Sequence, residues 1–138
     1  MDRKQFLSLF GAGSAAAACA YCLGGCKSPS DTITGPTGVN LTIDLTQPAN
    51  SALTQNGGYI YNSGIIIART VNSAYVAVSQ TCTHQGNTIV YDKSANQFFC
   101  PAHGSRFATD GSVVNGPASS PLTRYMTHVS GSTLTVTS

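Results

Sequence analysis

The 138-residue sequence has no glutamate and no tryptophan, and only 9% of its residues are charged. Seven lysines and arginines against five aspartates leave a formal net charge of +2. So thin and balanced a charge set excludes the basic footprint of a nucleic-acid binder. The chain is also short, enough for one modest core but hardly for an enzyme domain plus a cofactor domain. No stretch after residue 38 repeats apolar residues at helical spacing, which argues against a helical core. What the sequence has in quantity is Gly, Ser, Thr and Asn, the makings of a small β-protein rich in turns.

The N-terminus reads as an export signal. Arg3 and Lys4 precede the uncharged, mildly apolar "FLSLFGAGSAAAACAYCLGG" of residues 6–25, and "LGGC" ends at Cys26. This ending resembles the bacterial lipoprotein signal. The resemblance implies cleavage before Cys26 and attachment of lipid to its thiol, which would tether the domain outside the cytoplasm, on the periplasmic side. "DRKQFLS", residues 2–8, also resembles the twin-arginine export signal, with Lys4 in place of the second arginine. An uncleaved transmembrane anchor is the competing reading of residues 6–25, disfavoured because Gly and Ala dominate and Leu is sparse. Residues 26–38, from Cys26 through "KSPSDTITGPTG", read as a flexible tether, and the folded domain is expected over 39–138.

Beyond it the chain divides into short β-prone runs separated by turn residues. "VNLTIDL", residues 39–45, alternates apolar and polar positions as a half-buried strand does. Further strands are expected at 59–61, 65–70, 74–79, 88–91, 97–99, 106–108, 112–114, 122–129 and 133–137. Asp110-Gly111 marks a hairpin between two of them. The expected fold is all-β, an antiparallel sandwich or small barrel of about nine or ten strands.

Of five cysteines, Cys19 and Cys22 leave with the signal and Cys26 is taken by lipid. Cys82 and Cys100 remain. An exported pair suggests a disulfide, but each is followed by a histidine, His84 and His103, which argues against one. The pairs stand just after expected strand ends, on loops, with fifteen residues between His84 and Cys100. That interval holds a strand, a turn and a returning strand, which would bring the loops face to face. Two unrelated buried thiols with two surface histidines are the plain alternative. Converging, two thiolates and two imidazoles could hold a tetrahedral zinc ion, as in a zinc-bound β-module used for binding, or a 2Fe-2S cluster with mixed ligation.

The pattern "CTHQG" (82–86), then "CPAHGSRF" (100–107), with "GPASSPL" (116–122), resembles the Rieske 2Fe-2S family. The resemblance is closest from Cys82 to Phe107. It implies a Rieske-like β-fold with two cluster-binding loops, Cys82 and Cys100 on one iron, and His84 and His103 on the other through Nδ1. It also implies that the segment at Pro117 covers the cluster and that Gly104 helps hold the loops. Two thiolates rather than four leave the oxidised cluster formally neutral, which eases electron uptake; Rieske potentials lie at about −150 to +300 mV against about −400 mV for plant-type ferredoxins. Electron uptake can then couple to proton uptake at the ligating imidazoles.

The implied activity is one-electron transfer in a respiratory or oxidoreductase chain. Its partners would be redox proteins, such as a cytochrome, a quinol-linked complex or the large subunit of an exported oxidoreductase. The sequence departs from the quinol-oxidising branch, which has a disulfide between the loops where this chain has Asn87 and Ala102, and commonly Tyr where it has Phe107. Ser105 is kept and can donate to a bridging sulfide; Phe107 has no hydroxyl to give a cysteine sulfur, so the expected potential falls in the lower or middle Rieske range. Lack of the disulfide resembles the soluble Rieske ferredoxins that serve oxygenases. His128 is expected at the surface, Arg106 either tunes the site or is a solvated charge, and Tyr59, Tyr61, Tyr91 and Tyr125 are expected to pack the sheets.

Overall fold

In the computed structural model, residues 33–138 are described; the export signal, Cys26 and the first part of the tether lie outside them. Ten strands form: β1 Asn40–Asp44, β2 Tyr59–Asn62, β3 Ile65–Arg69, β4 Tyr75–Ser79, β5 Val90–Asp92, β6 Gln97–Phe99, β7 Arg106–Phe107, β8 Val113–Asn115, β9 Arg124–Ser130 and β10 Thr133–Thr137. They make two antiparallel sheets. The larger runs β1-β10-β9-β4-β3-β2 and the smaller runs β5-β6-β7-β8. The all-β expectation holds.

Period-two alternation explains how one sheet supplies two cores. β3 reads IIIAR and is buried over its first four residues. Alternate side chains point to opposite faces. Ile66 and Ala68 therefore join Val78, Phe98, Phe107 and both cysteines in one core, while Ile65 and Ile67 join Leu53, Tyr125, Leu134 and Val136 in the other. The first core is the floor on which the cysteine-bearing loops rest.

Two features were not anticipated. Pro48–Thr54 forms a 3-10 helix with Pro in its first turn and Leu53 as its buried residue. A single buried side chain leaves no periodic trace in the sequence. The chain also joins the domain before Val39. Gly35 N donates to Thr123 Oγ1 at 3.0 Å, and the Tyr125 hydroxyl donates to Pro36 O at 2.7 Å.

Three connections meet at one end of the smaller sheet: 80–89 after β4, 100–105 after β6, and 116–123 after β8. The Asp110-Gly111 hairpin sets the third. Ala108 N bonds Ser112 O at 2.8 Å, Gly111 N bonds Ala108 O at 2.9 Å, and Leu122 N bonds Gly111 O at 2.8 Å. Gly111 has φ +91°, and a Cβ there would stand 2.7 Å from Leu122 O. Gly111→Ala is therefore expected to lower stability by about 1–3 kcal/mol in urea unfolding, whereas Gly131→Ala, also at positive φ but in open space, should cost less.

Candidate metal centre

Both cysteine-bearing loops are built on the same turn. In the first, Cys82 N donates to Asn87 O at 2.7 Å and Gly86 N to Cys82 O at 2.8 Å. In the second, Cys100 N donates to Ser105 O at 2.8 Å and Gly104 N to Cys100 O at 2.9 Å. Each cysteine thus bonds the carbonyl five residues on and the amide four residues on. The fourth residue is a glycine with positive φ, +77° at Gly86 and +83° at Gly104, a backbone shape that side-chain-bearing residues adopt only with strain. An isolated antiparallel bridge, Thr81 to Thr88, pinches the root of the first loop.

These turns bring the four sequence-predicted donors together as two pairs. Cys82 and Cys100 are fully buried and are free thiols, not bonded to each other. His84 and His103 lie edge to face, ring centroids 5.0 Å apart at 87°. His103 is exposed and His84 half-buried, yet His84 Nδ1 is buried and has no hydrogen-bond partner. Burial pushes the Cys100 thiol above its ordinary pKa, and its hydrogen bond with Cys82 adds to the rise. A cation beside the Cys100 sulfur would compensate the buried charge of its thiolate.

A buried imidazole nitrogen without a partner is costly, and ligation of a metal would satisfy it. Among the described residues no three His, Cys, Asp or Glu side chains gather as they would around a single ion. Two sulfurs in one pair and two imidazoles in another fit a two-iron cluster better than one tetrahedral zinc.

The third connection locks the other two. The Ser105 hydroxyl, fully buried, accepts the Ala118 N–H at 3.1 Å, which leaves its own proton free to donate. Thr83 Oγ1 donates to Ser120 O at 2.6 Å. Segment 116–122 is thereby tied to both cysteine loops; Ala118 is buried and Pro117 exposed. Thr83, Ala118 and Ser120 were not singled out from sequence, since ties across 37 and 13 positions leave no local signal.

Comparison with known proteins accords with the geometry. A model of the Rieske [2Fe-2S] domain matches residues 46–126. The chain belongs to the Rieske family. Its cofactor is accordingly a 2Fe-2S cluster. The cytochrome b6-f complex iron-sulfur subunit of Chlorobaculum thiosulfatiphilum is 32% identical over 76 residues, 55% of this chain and 42% of that one. The subunit of the same description from Prochlorococcus marinus strain AS9601 is 50% identical over 48 residues, 35% of this chain and 26% of that one. This Rieske chain therefore matches less than half the length of those relatives. Among solved structures, the ferredoxin of carbazole 1,9a-dioxygenase from Nocardioides aromaticivorans IC177 superposes with a TM-score of 0.53 over 74% of this chain and 98% of that one. At 22% identity, this is a likeness of fold.

Around the Rieske site, the remaining candidates fall into place. Arg106 pairs with Asp92 at 3.2 Å and lies over the Phe99 ring, 4.6 Å from its centroid, so its charge is already engaged. Asp92 is held below its ordinary pKa first by the Ser94 hydroxyl and then by Arg106. His128 is exposed. The hydroxyls of Tyr61, Tyr91 and Tyr125 bond Ile89 O, Asn96 Oδ1 and Pro36 O, as sheet-packing tyrosines do. Phe107 is fully buried in the core that holds both cysteines.

Two outcomes are expected. Ser105→Ala removes the acceptor of the Ala118 amide, lowering stability by about 1–3 kcal/mol and speeding hydrogen exchange at Ala118. Phe107→Tyr should raise the reduction potential; a hydrogen bond worth about 1 kcal/mol more to the reduced state corresponds to roughly 40 mV for one electron, read by redox titration.

Proposed function

We propose that this protein is a one-electron carrier, tethered by lipid on Cys26 to a membrane on its periplasmic side, with Cys82 and Cys100 binding one iron and His84 and His103 the other. The observation that carries the assignment is the pairing of donors: two buried free thiols and two imidazoles 5.0 Å apart, one with an orphaned buried nitrogen. When bound, the cluster supplies a one-electron couple. Cys82 and Cys100, buried in the core, would hold the cluster from within, and His103, which is exposed, would give it a ligand at the surface.

The chain's own residues account for the rest of the behaviour. Segment 116–122 covers the loops and excludes water from the buried thiols. The Ser105 oxygen accepts the Ala118 N–H and its own proton is left to donate; given to the bound cluster, that hydrogen bond would favour the more negative, reduced state. Phe107 offers no such donor. The redox partner is another electron-transfer protein of the exported compartment. The export reading draws on the residues before Cys26; among the described residues no helix is long and apolar enough to cross a membrane.

An EPR-monitored redox titration of the purified protein tests the reading. A one-electron transition in the lower or middle part of the Rieske span, about −150 to +300 mV, is expected; a midpoint near the top would overturn the role given to Phe107. Removal of iron by a chelator should abolish the signal and free both thiols to titration.

A further inference from the structure

Residues 33–36 follow a course that a slack tether would not. Ile33 Cδ1 lies 3.9 Å from the position a Cβ would take at Gly86, in the first cysteine loop. Gly35 is bonded to Thr123 and packed so closely that a Cβ on it would stand 2.7 Å from Ser79 Cβ. Pro36 accepts from Tyr125, and its Cγ sits 3.0 Å from the Cβ position of Gly64. Three grips within four residues therefore lead the chain from the start of β1 up to the turn that carries Cys82 and His84.

We infer that this segment is a strap that makes the chain enter the domain at its cluster-bearing end, so that this end is carried toward the lipid surface to which the protein is anchored. The inference rests on the lipid anchor proposed above for its direction, and on the strap for its geometry. Six residues separate Cys26 from Ile33, a stretch that can span at most about 25 Å, against about 45 Å if the chain were free as far as Val39. A free tether would let the domain turn its cluster away from the membrane; a docked strap does not.

The surface so presented suits that position. No Asp, Glu, Lys or Arg occurs in 79–91, 98–105 or 111–123, the three stretches that build the cluster end. Approach of these stretches to a bilayer therefore strips water from no charged side chain of their own, and the adjoining Arg106 is paired with Asp92. Nor do these stretches hold charges to steer a diffusing partner, and confinement near one surface supplies the encounter instead.

The test uses the mature lipidated protein in phosphatidylcholine vesicles doped with a gadolinium-chelate lipid. Microwave-power saturation of the reduced cluster's EPR signal reports its distance from the membrane. The half-saturation power should rise several-fold over undoped vesicles. In Gly35→Val, whose Cβ cannot fit beside Ser79, most of that rise should be lost while the EPR signal keeps its shape, showing an intact fold. An equal rise in both proteins overturns the strap. Mass spectrometry separates the two layers, because a mature chain without acyl groups overturns the anchor. The strap is then judged by hydrogen exchange at the Gly35 amide: protection that Thr123→Val removes supports it, and an unprotected amide overturns it.

Discussion

The site depends on one backbone device used twice: a turn in which a cysteine amide is bonded five residues ahead and its carbonyl four residues ahead, closed by a glycine at positive φ. The device roots each cysteine in the core and turns the following residues outward. In the first loop the histidine stands two positions after the cysteine and in the second three. Identical turns with offset histidines let the two rings meet edge to face rather than collide. Two fully buried cysteines, a half-buried His84 and an exposed His103 accompany that geometry.

A disulfide would be the simplest way to hold two such loops together, and Asn87 and Ala102 leave none at the positions where part of the family has one. Segment 116–122 does the holding. Its grip on the second loop is the Ser105 hydroxyl, and its grip on the first is Thr83 on Ser120. Each tie contributes about 1 kcal/mol net, modest beside a cross-link, but both lie in or beside a core where an unmade hydrogen bond costs more than a made one returns. Metal ligation adds the remaining constraint, coupling the stability of this end of the domain to its cofactor.

The ten strands were legible because alternation and turn residues mark them locally, with ends displaced by at most about two residues, as frayed boundaries are. The pairing of two buried thiols and of two imidazole rings was legible because each Cys and His motif is contiguous within its loop. The ties were not. Thr83 to Ser120 and Ser105 to Ala118 join distant positions through ordinary hydroxyl and amide groups, and nothing in "CTHQG" or "GPASSPL" announces them. The 3-10 helix hid behind its single buried Leu53. Residues 33–36 read as tether by composition, since Gly35 and Pro36 usually mark slack chain; here the same small and rigid residues allow close packing against Ser79 and Gly64.

Electron spin-echo modulation spectroscopy of the reduced protein tests the central assignment most directly. Two strongly coupled histidine nitrogens are predicted, with His84→Cys and His103→Cys each leaving one. A spectrum without nitrogen couplings, or one unchanged by both substitutions, would contradict it.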